Sequence, residues 1–408
     1  MSADPRPLVV HVVNALDRGG TEGALLSLLP RFDGSRHGHA VVTLRGGGPL
    51  AAELPSDVAC WAIGAKGRSR AAALRLAGVA RRWRPAIIHA RNTNTWADAL
   101  VAGVLNPRSK VILGFHGLDH AGGFPGGTRR LARWAVRLGA AFASVSESGR
   151  SRLVEELGVP SARIALLPNG VDAARFRTPT VQESAAARRA LGVQSGEFVV
   201  GMVGSLTAVK RVDLMIEALR RLAPGSHRVR GIVVGEGSLR SELQDLTLRA
   251  GLRDRVHFAG SQADVRPYLW ALEVLVSGSD SEEMSNAILE ALACGIPIVA
   301  TNVGDSALMI GEPRAGIVAP KGDAAAISAA ILRLACDPSE RARLGRNARL
   351  RAAGCSLART AAAYDEFYRS LLGAQWRAAA YQPNHTANMV MSSLCGAGPT
   401  NTATCLRT

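Results

Sequence analysis

Two glutamates eight positions apart, Glu282 and Glu290, flank the apolar stretch of "SEEMSNAILEALACGIPIVA", residues 281–300. At about 3.6 residues per turn, acids eight apart within one helix share a face, which describes a solvated surface. A helix starting near Ser285 or Asn286, both good N-cap residues, instead leaves Glu282 in the preceding loop and Glu290 one turn inside. That second geometry is a pocket at a helix N-terminus, where backbone N–H groups and the dipole attract an anion such as a phosphate. Both geometries fit the spacing.

Three further loops follow short β-branched runs in a way that suits a nucleotide or a phosphate. "VVNALDRGGTEGALLSLL" places Gly19 and Gly20 just ahead of a helix, where backbone can approach an anion. "VVGEGSLRSEL" supplies Gly235 and Gly237 but has Arg240 where a dinucleotide fingerprint requires a third small residue, which argues against NAD. In "GSLTAVKRVDLMIEAL", Lys210 precedes a helix whose Leu214, Ile216 and Leu219 form an apolar face. Asp305 and Glu22 read equally well as helix-terminal caps and are left unassigned.

The elements that must position these residues alternate. Strand-like runs "LVVHVVNAL", "HAVVTL", "AIIHA", "KVILGFHG" and "AAFASVS" are separated by helical patterns. The series restarts after Phe198 with "FVVGMVGSL", "VRGIVVGEG", "RVHFAG", "EVLVSGS" and "IPIVATNVG". Such alternation predicts βαβ units and parallel sheets. The stretch "IALLPNGVDAARFRTPTVQES" breaks the pattern and is expected to be the boundary between an N-terminal domain, 1–178, and a C-terminal domain, 179–373. The expected architecture is two doubly wound α/β domains facing across a cleft, with ligands beyond the carboxyl ends of the strands. Residues 374–408 lack period and are expected to be a disordered tail.

The ordered set Gly19-Gly20, His116-Gly117, "PNGVD" (Pro168 to Asp172), Lys210, "VGEG" (Val234 to Gly237), the Glu-x7-Glu stretch and "VGD" (Val303 to Asp305) resembles the retaining, GT-B-fold glycosyltransferases of family 4 over residues 8–373. The resemblance implies that Glu290 bonds the ribose hydroxyls of a nucleotide, using two acceptor oxygens for a diol. It implies that Glu282 sits by the donor sugar, and that the N–H groups of Met284, Ser285 and Asn286 bind sugar and phosphate. Lys210 would neutralise the diphosphate leaving group, His116 would line the donor sugar or the acceptor, and Gly19 and Gly20 would leave room for the diphosphate. No metal or cofactor is implied beyond the nucleotide-sugar co-substrate. The final helix is expected to return to the first domain.

This chain departs from the family pattern twice. Ser205 stands where a second phosphate-binding arginine is usual, a loss of about 2 kcal/mol of leaving-group stabilisation unless Arg211 or a neighbour substitutes. Glu283 replaces a glycine in the donor-sugar loop, where positive φ would be strained. The reaction implied is transfer of a hexose or N-acetylhexosamine from a UDP- or GDP-sugar to a hydroxyl of a saccharide or lipid-linked acceptor, in polysaccharide or glycolipid assembly. The alternatives are a degenerate GT-B protein that binds nucleotide sugar or membrane without turnover, and a GT-B-fold sugar-nucleotide epimerase.

Composition bounds the rest. The chain has 408 residues, 47% of them hydrophobic, and a net charge of +16. Residues 1–178 hold 24 basic against 12 acidic residues, and residues 179–408 hold 25 against 21. The excess concentrates in Lys66 to Arg84 and in "TRRLARWAVRLGA", where Arg129, Arg133 and Arg137 recur beside Trp134. Basic amphipathic helices of this kind suit an anionic membrane surface or a plain solvated face. No nucleic-acid-binding pattern accompanies them. Without an 18-residue apolar run or a signal-peptide layout, the expectation is a cytoplasmic protein, peripheral on the inner face of the cell membrane. The six cysteines are read as reduced and structural, and His37 and His39 as exposed loop residues rather than metal ligands.

Overall fold

The structure is a computed structural model that describes residues 6–65, 70–118, 120, 122–222 and 228–373. Seven strands form the first sheet: β1 (Leu8–Ala15), β2 (Gly38–Gly46), β3 (Ala59–Ala62), β4 (Ile87–Ala90), β5 (Lys110–Phe115), β6 (Ala141–Ser144) and β7 (Ile164–Leu166). Six form the second: β8 (Phe198–Val203), β9 (Val229–Val234), β10 (Val256–Gly260), β11 (Val274–Ser277), β12 (Ile298–Thr301) and β13 (Gly316–Ala319). All pairings are parallel, in the orders β3-β2-β1-β4-β5-β6-β7 and β10-β9-β8-β11-β12-β13. The strand order reverses beside β1 and beside β8, and these switch points open a crevice at the strands' carboxyl ends. The two doubly wound α/β domains expected from the alternation are the observed architecture.

Strands covered on both faces read as continuous apolar runs rather than alternating ones. Successive residues of β1 therefore feed two cores. Val10 and Val12 pack with Leu76, Trp96 and Phe142 on one face, and Val9 and Val13 with Leu25, Phe367 and Tyr368 on the other. Those last two residues belong to the final helix, Leu357–Gly373, which crosses back to cover the first sheet. The crossing is tied beside the outgoing chain: Val171 N–H donates to the Cys355 carbonyl at 2.8 Å, and Leu357 N–H to the Val171 carbonyl at 3.2 Å. Gly170 is needed here, because a Cβ would lie 2.8 Å from the Leu357 backbone.

Several expectations require correction. Ile164–Leu166, read as the start of the linker, is the buried edge strand β7. The alternation also left out β3 and β13, which like β7 are edge strands. His37 is buried at 4% exposure and His39 is half-buried. The two lie beneath the final helix with His11 and His89, where His11 Nε2 meets His39 Nδ1 at 3.1 Å and His89 Nδ1 meets the Tyr368 hydroxyl at 3.0 Å. Cys294 and Cys355 are buried, but Cys60 and Cys336 are exposed. Lys66 to Ser69, the tail 374–408 and its Cys395 and Cys405 lie outside the described residues.

Candidate active site

The helix of the Glu-x7-Glu stretch runs Asn286–Cys294, with Ser285 as N-cap and Gly295 closing it in the left-handed region at φ 77°. Glu282 therefore lies in the loop ahead and Glu290 one turn inside, the second of the two geometries. Lys210, at the end of a 3₁₀ turn, Ala208–Lys210, donates to the Glu282 carboxylate. Gly204, Ser205, Leu206, Lys210, Glu282 and Ser285 line one pocket at the mouth of β8 and β11. Lys210 is its one cation among the described residues.

Gly235 and Gly237 act one layer below. A Cβ on Gly235 would lie 1.9 Å from the Gly204 carbonyl oxygen, and one on Gly237 2.3 Å from that of Leu206. The loops after β8 and β9 thus stack backbone on backbone, joined by Leu206 N–H to the Glu236 carbonyl at 2.8 Å. Across the cleft, Asn286 Nδ2 donates to the Gly20 carbonyl at 2.9 Å. Gly19 is the N-cap of the helix Gly20–Leu28, so two helix N-termini face one space.

Electrostatics separate the remaining groups. Glu290 is half-buried, and burial pushes its carboxyl up to about 7, with Arg175 opposing and Asp264 reinforcing the shift. His116, one residue beyond β5, is driven down to about 3 by burial and then by the Arg91 guanidinium, so it is a neutral imidazole at physiological pH. It does not line the Lys210 pocket.

The two departures resolve differently. Arg211, a candidate replacement for the missing arginine, bonds Asp213 in a bidentate manner and Asp280 at 3.1 Å, away from the pocket. Its backbone sits at φ 50°, between the 3₁₀ turn and the helix Val212–Arg221. Glu283 is not strained: among the described residues only Arg84 and Arg211 combine a side chain with positive φ. Its side chain leaves the pocket, 2% exposed, and enters the first domain. There it accepts from the Ser146 hydroxyl at 2.7 Å and from Arg152 Nη1 at 3.2 Å. Sequence reasoning missed Ser146 and Arg152, whose signal is contact between distant segments; Asp305, read as a possible helix-terminal cap, does accept from helix N–H groups, but those of Glu147 and Ser148 in the other domain. Among the described residues no group of three or more His, Cys, Asp or Glu is arranged to hold a metal.

Comparison with known proteins follows the same two halves. The profile of glycosyltransferase family 4 matches residues 18–175, and that of glycosyl transferases group 1 matches residues 183–351. The chain belongs to glycosyltransferase family 4. Among curated relatives of this family-4 chain, the 2-deoxystreptamine glucosyltransferase of Streptomyces kanamyceticus is 28% identical over 209 residues, 51% of this chain and 54% of that protein. The D-inositol 3-phosphate glycosyltransferase of Saccharomonospora viridis is 34% identical over 217 residues, 50% and 49% of the two chains. The chain spans about half the length of the curated relatives it matches. Among solved structures, Anabaena HepE in complex with UDP and glucose superposes with a TM-score of 0.77 at 21% identity, covering 89% of this chain and 99% of that one. WaaG, a glycosyltransferase involved in lipopolysaccharide biosynthesis, gives 0.73 at 17% identity, covering 90% and 100%. At these identities the likeness is one of fold.

Proposed function

We propose that this family-4 chain is a retaining glycosyltransferase that moves a hexose or N-acetylhexosamine from a nucleotide-diphosphate sugar to an acceptor hydroxyl. The observation that carries the reading is the Lys210–Glu282 pair at the rim of a pocket beside the N-terminus of helix Asn286–Cys294, with Glu290 one turn inside. A diphosphate laid there meets one ammonium and a helix N-terminus, both of which stabilise the charge that develops as it leaves. The Glu290 oxygens are available to a ribose diol, and Glu282 to a sugar hydroxyl. No metal is needed in this scheme. With Glu282 held on Lys210 rather than free as a nucleophile, retention follows a front-face path: the C–O bond to phosphate breaks, the acceptor oxygen bonds the anomeric carbon from the same face, and the departing phosphate oxygen takes the acceptor's proton. Neutral His116 then orients a hydroxyl rather than supplying a charge.

A uridine donor is favoured over guanosine, because HepE, similar in fold over nearly the whole chain, was captured with UDP and glucose. A saccharide or lipid-linked acceptor would enter from the first domain. Support for a membrane-bound acceptor comes from one face of that domain. The helices Arg70–Trp83, Trp96–Leu105 and Thr128–Arg137 pack on the same side of the first sheet. They expose Leu74, Val104, Leu105, Trp134 and Leu138 alongside Arg81, Arg82, Arg129, Arg133 and Arg137. Arg137 lies over the Trp134 ring at 5.5 Å. No helix among the described residues is long and apolar enough to cross a membrane.

The test is calorimetric titration of the protein with UDP, GDP and ADP, with and without magnesium, beside Glu290→Ala. Binding of UDP that Glu290→Ala abolishes supports the donor site. Failure of all three nucleotides to bind would mean a lost donor site and return the reading of a degenerate partner protein, for which Ser205 is the remaining argument. Release of free UDP and an altered sugar without any acceptor would indicate an epimerase.

A further inference from the structure

Two carboxylates of the second domain fill the start of one helix of the first. Ser146 is the N-cap of the helix Glu147–Glu155, its hydroxyl oxygen accepting from Gly149 N–H at 2.8 Å while its proton goes to Glu283 at 2.7 Å. Asp305 accepts from the N–H groups of Glu147 and Ser148, both at 3.1 Å. The two acids are joined to each other, Asp305 N–H donating to the Glu283 carbonyl at 3.0 Å. Arg152, one turn further along the helix, completes the socket. It is held by Glu156 at 2.7 Å and lies over the rings of Phe115 and Phe124, so it is in place whether or not Glu283 arrives.

The neighbours of Glu283 in the chain link the donor pocket to the first domain. Glu282, immediately before it, bonds Lys210. Met284, immediately after it, is 4% exposed and packs with Val145 and Leu166 of the first domain, and its carbonyl accepts from Asn169 Nδ2 at 3.1 Å. The fit is close from the other side as well. A Cβ on Gly149 would lie 2.9 Å from a Glu283 oxygen, and one on Gly117, beside His116, 3.4 Å from its Cγ.

We infer that Glu283 is a positioning residue, an interdomain latch that seats the Glu282 loop by anchoring in Ser146 and Arg152, so that closing the cleft and assembling the donor pocket are one event. A buried carboxylate is tolerated only where its hydrogen-bond donors are supplied. Here the side-chain donors come from the first domain, and separating the domains returns Glu283 to water and frees the loop between Lys210 and Asn286. The consequence for nucleotide binding rests on the donor-site reading above. The coupling of Glu283 to domain closure does not.

Small-angle scattering of the full chain, with and without UDP, tests this on wild type, Glu283→Ala, Glu283→Gln and Gly149→Ala, with thermal melting as a check on folding. Gly149→Ala keeps every charge, and its Cβ would press on the Ser144 and Ser146 hydroxyls at 2.6 and 2.8 Å as well as on the Glu283 carboxylate at 2.9 Å, crowding the socket as a whole. Wild type is expected to be closed without ligand, Glu283→Ala and Gly149→Ala to show a larger radius of gyration, and Glu283→Gln, which keeps an acceptor, to lie between. In UDP titrations the two opened variants are expected to bind about 10-fold more weakly, the opening equilibrium lowering apparent affinity. Identical scattering from wild type and from every folded variant, free and bound, overturns the latch. If wild type binds no nucleotide, the donor reading fails, and the ligand-free scattering still decides the latch.

Discussion

Asn286 Nδ2 donates to the carbonyl of Gly20 at 2.9 Å, joining the first residues of two helices that belong to different domains and are 266 positions apart in the chain. The bond places two helix N-termini on one space, with Lys210 at its rim.

That convergence makes Lys210 the residue whose loss should fall on the chemical step. Lys210→Ala is expected to lower turnover by ~100-fold while weakening UDP binding far less, since a charge aimed at a leaving phosphate counts most in the transition state. Steady-state kinetics beside calorimetry separate the two effects. Equal losses in both would contradict the assignment.

Glu290 sets a pH dependence. Its carboxyl stands at about 7 in the folded chain against 4.5 for a freely solvated glutamate, with burial the leading cause. The protonated form is therefore favoured by folding. That contribution, about 3 kcal/mol at most, is present below pH 4.5 and lost as pH rises through 7. A ribose diol that donates to the carboxylate favours the ionised form, so UDP affinity should increase between about pH 5.5 and 8 with release of a proton. Calorimetry in buffers of different ionisation enthalpy measures that proton, and Glu290→Gln should remove the dependence.

The histidines under the final helix give the opposite slope with pH. Burial lowers His11 and His89 well below the usual imidazole range, with Arg91 acting in the same direction, and His39 falls to about 4. The unfolded chain takes up these protons first, near pH 6.5, so stability should fall as pH drops from 6.5 towards 4. Urea unfolding at about pH 7.5 and pH 5 checks this. His39→Gln should flatten the loss, and equal midpoints for wild type at both values would refute it.

For the basic face of the first domain, co-sedimentation with phosphatidylglycerol vesicles is expected to weaken as salt rises. Reversing Arg129, Arg133 and Arg137 to glutamate should abolish the salt-sensitive part, because no acidic residue on that helix compensates them. An unchanged response would remove the membrane proposal and leave the glycosyltransferase reading intact.

Much of this was legible along the chain because it depends on neighbours in sequence. The alternation of β-branched runs and helical patterns reports burial on both faces of a strand, and it located most of both sheets. The strands it did not locate, β3, β7 and β13, all lie at sheet edges. Ser285 as a cap and Gly295 as a stop are local choices of backbone conformation, and they delimit the helix that separates Glu282 from Glu290.

Sequence was misleading where a side chain's environment comes from afar. His37 and His39 read as exposed because a loop with two histidines and no third ligand usually is, and a helix more than 300 residues later covers them. Arg211 adjoins Lys210 but turns to Asp213 and Asp280, the second of them 69 positions later.

Residue order and local propensity thus determined the family, the two-sheet architecture and the identity of the pocket's cation, all carried by short-range pattern. Only the folded molecule decided what Glu283 does. Its two polar partners, Ser146 and Arg152, lie more than 130 residues earlier, and a carboxylate that looked like an intruder in a donor loop became a contact between domains. Burial and hydrogen bonding are set by whatever the chain brings alongside, and that is a property of three dimensions.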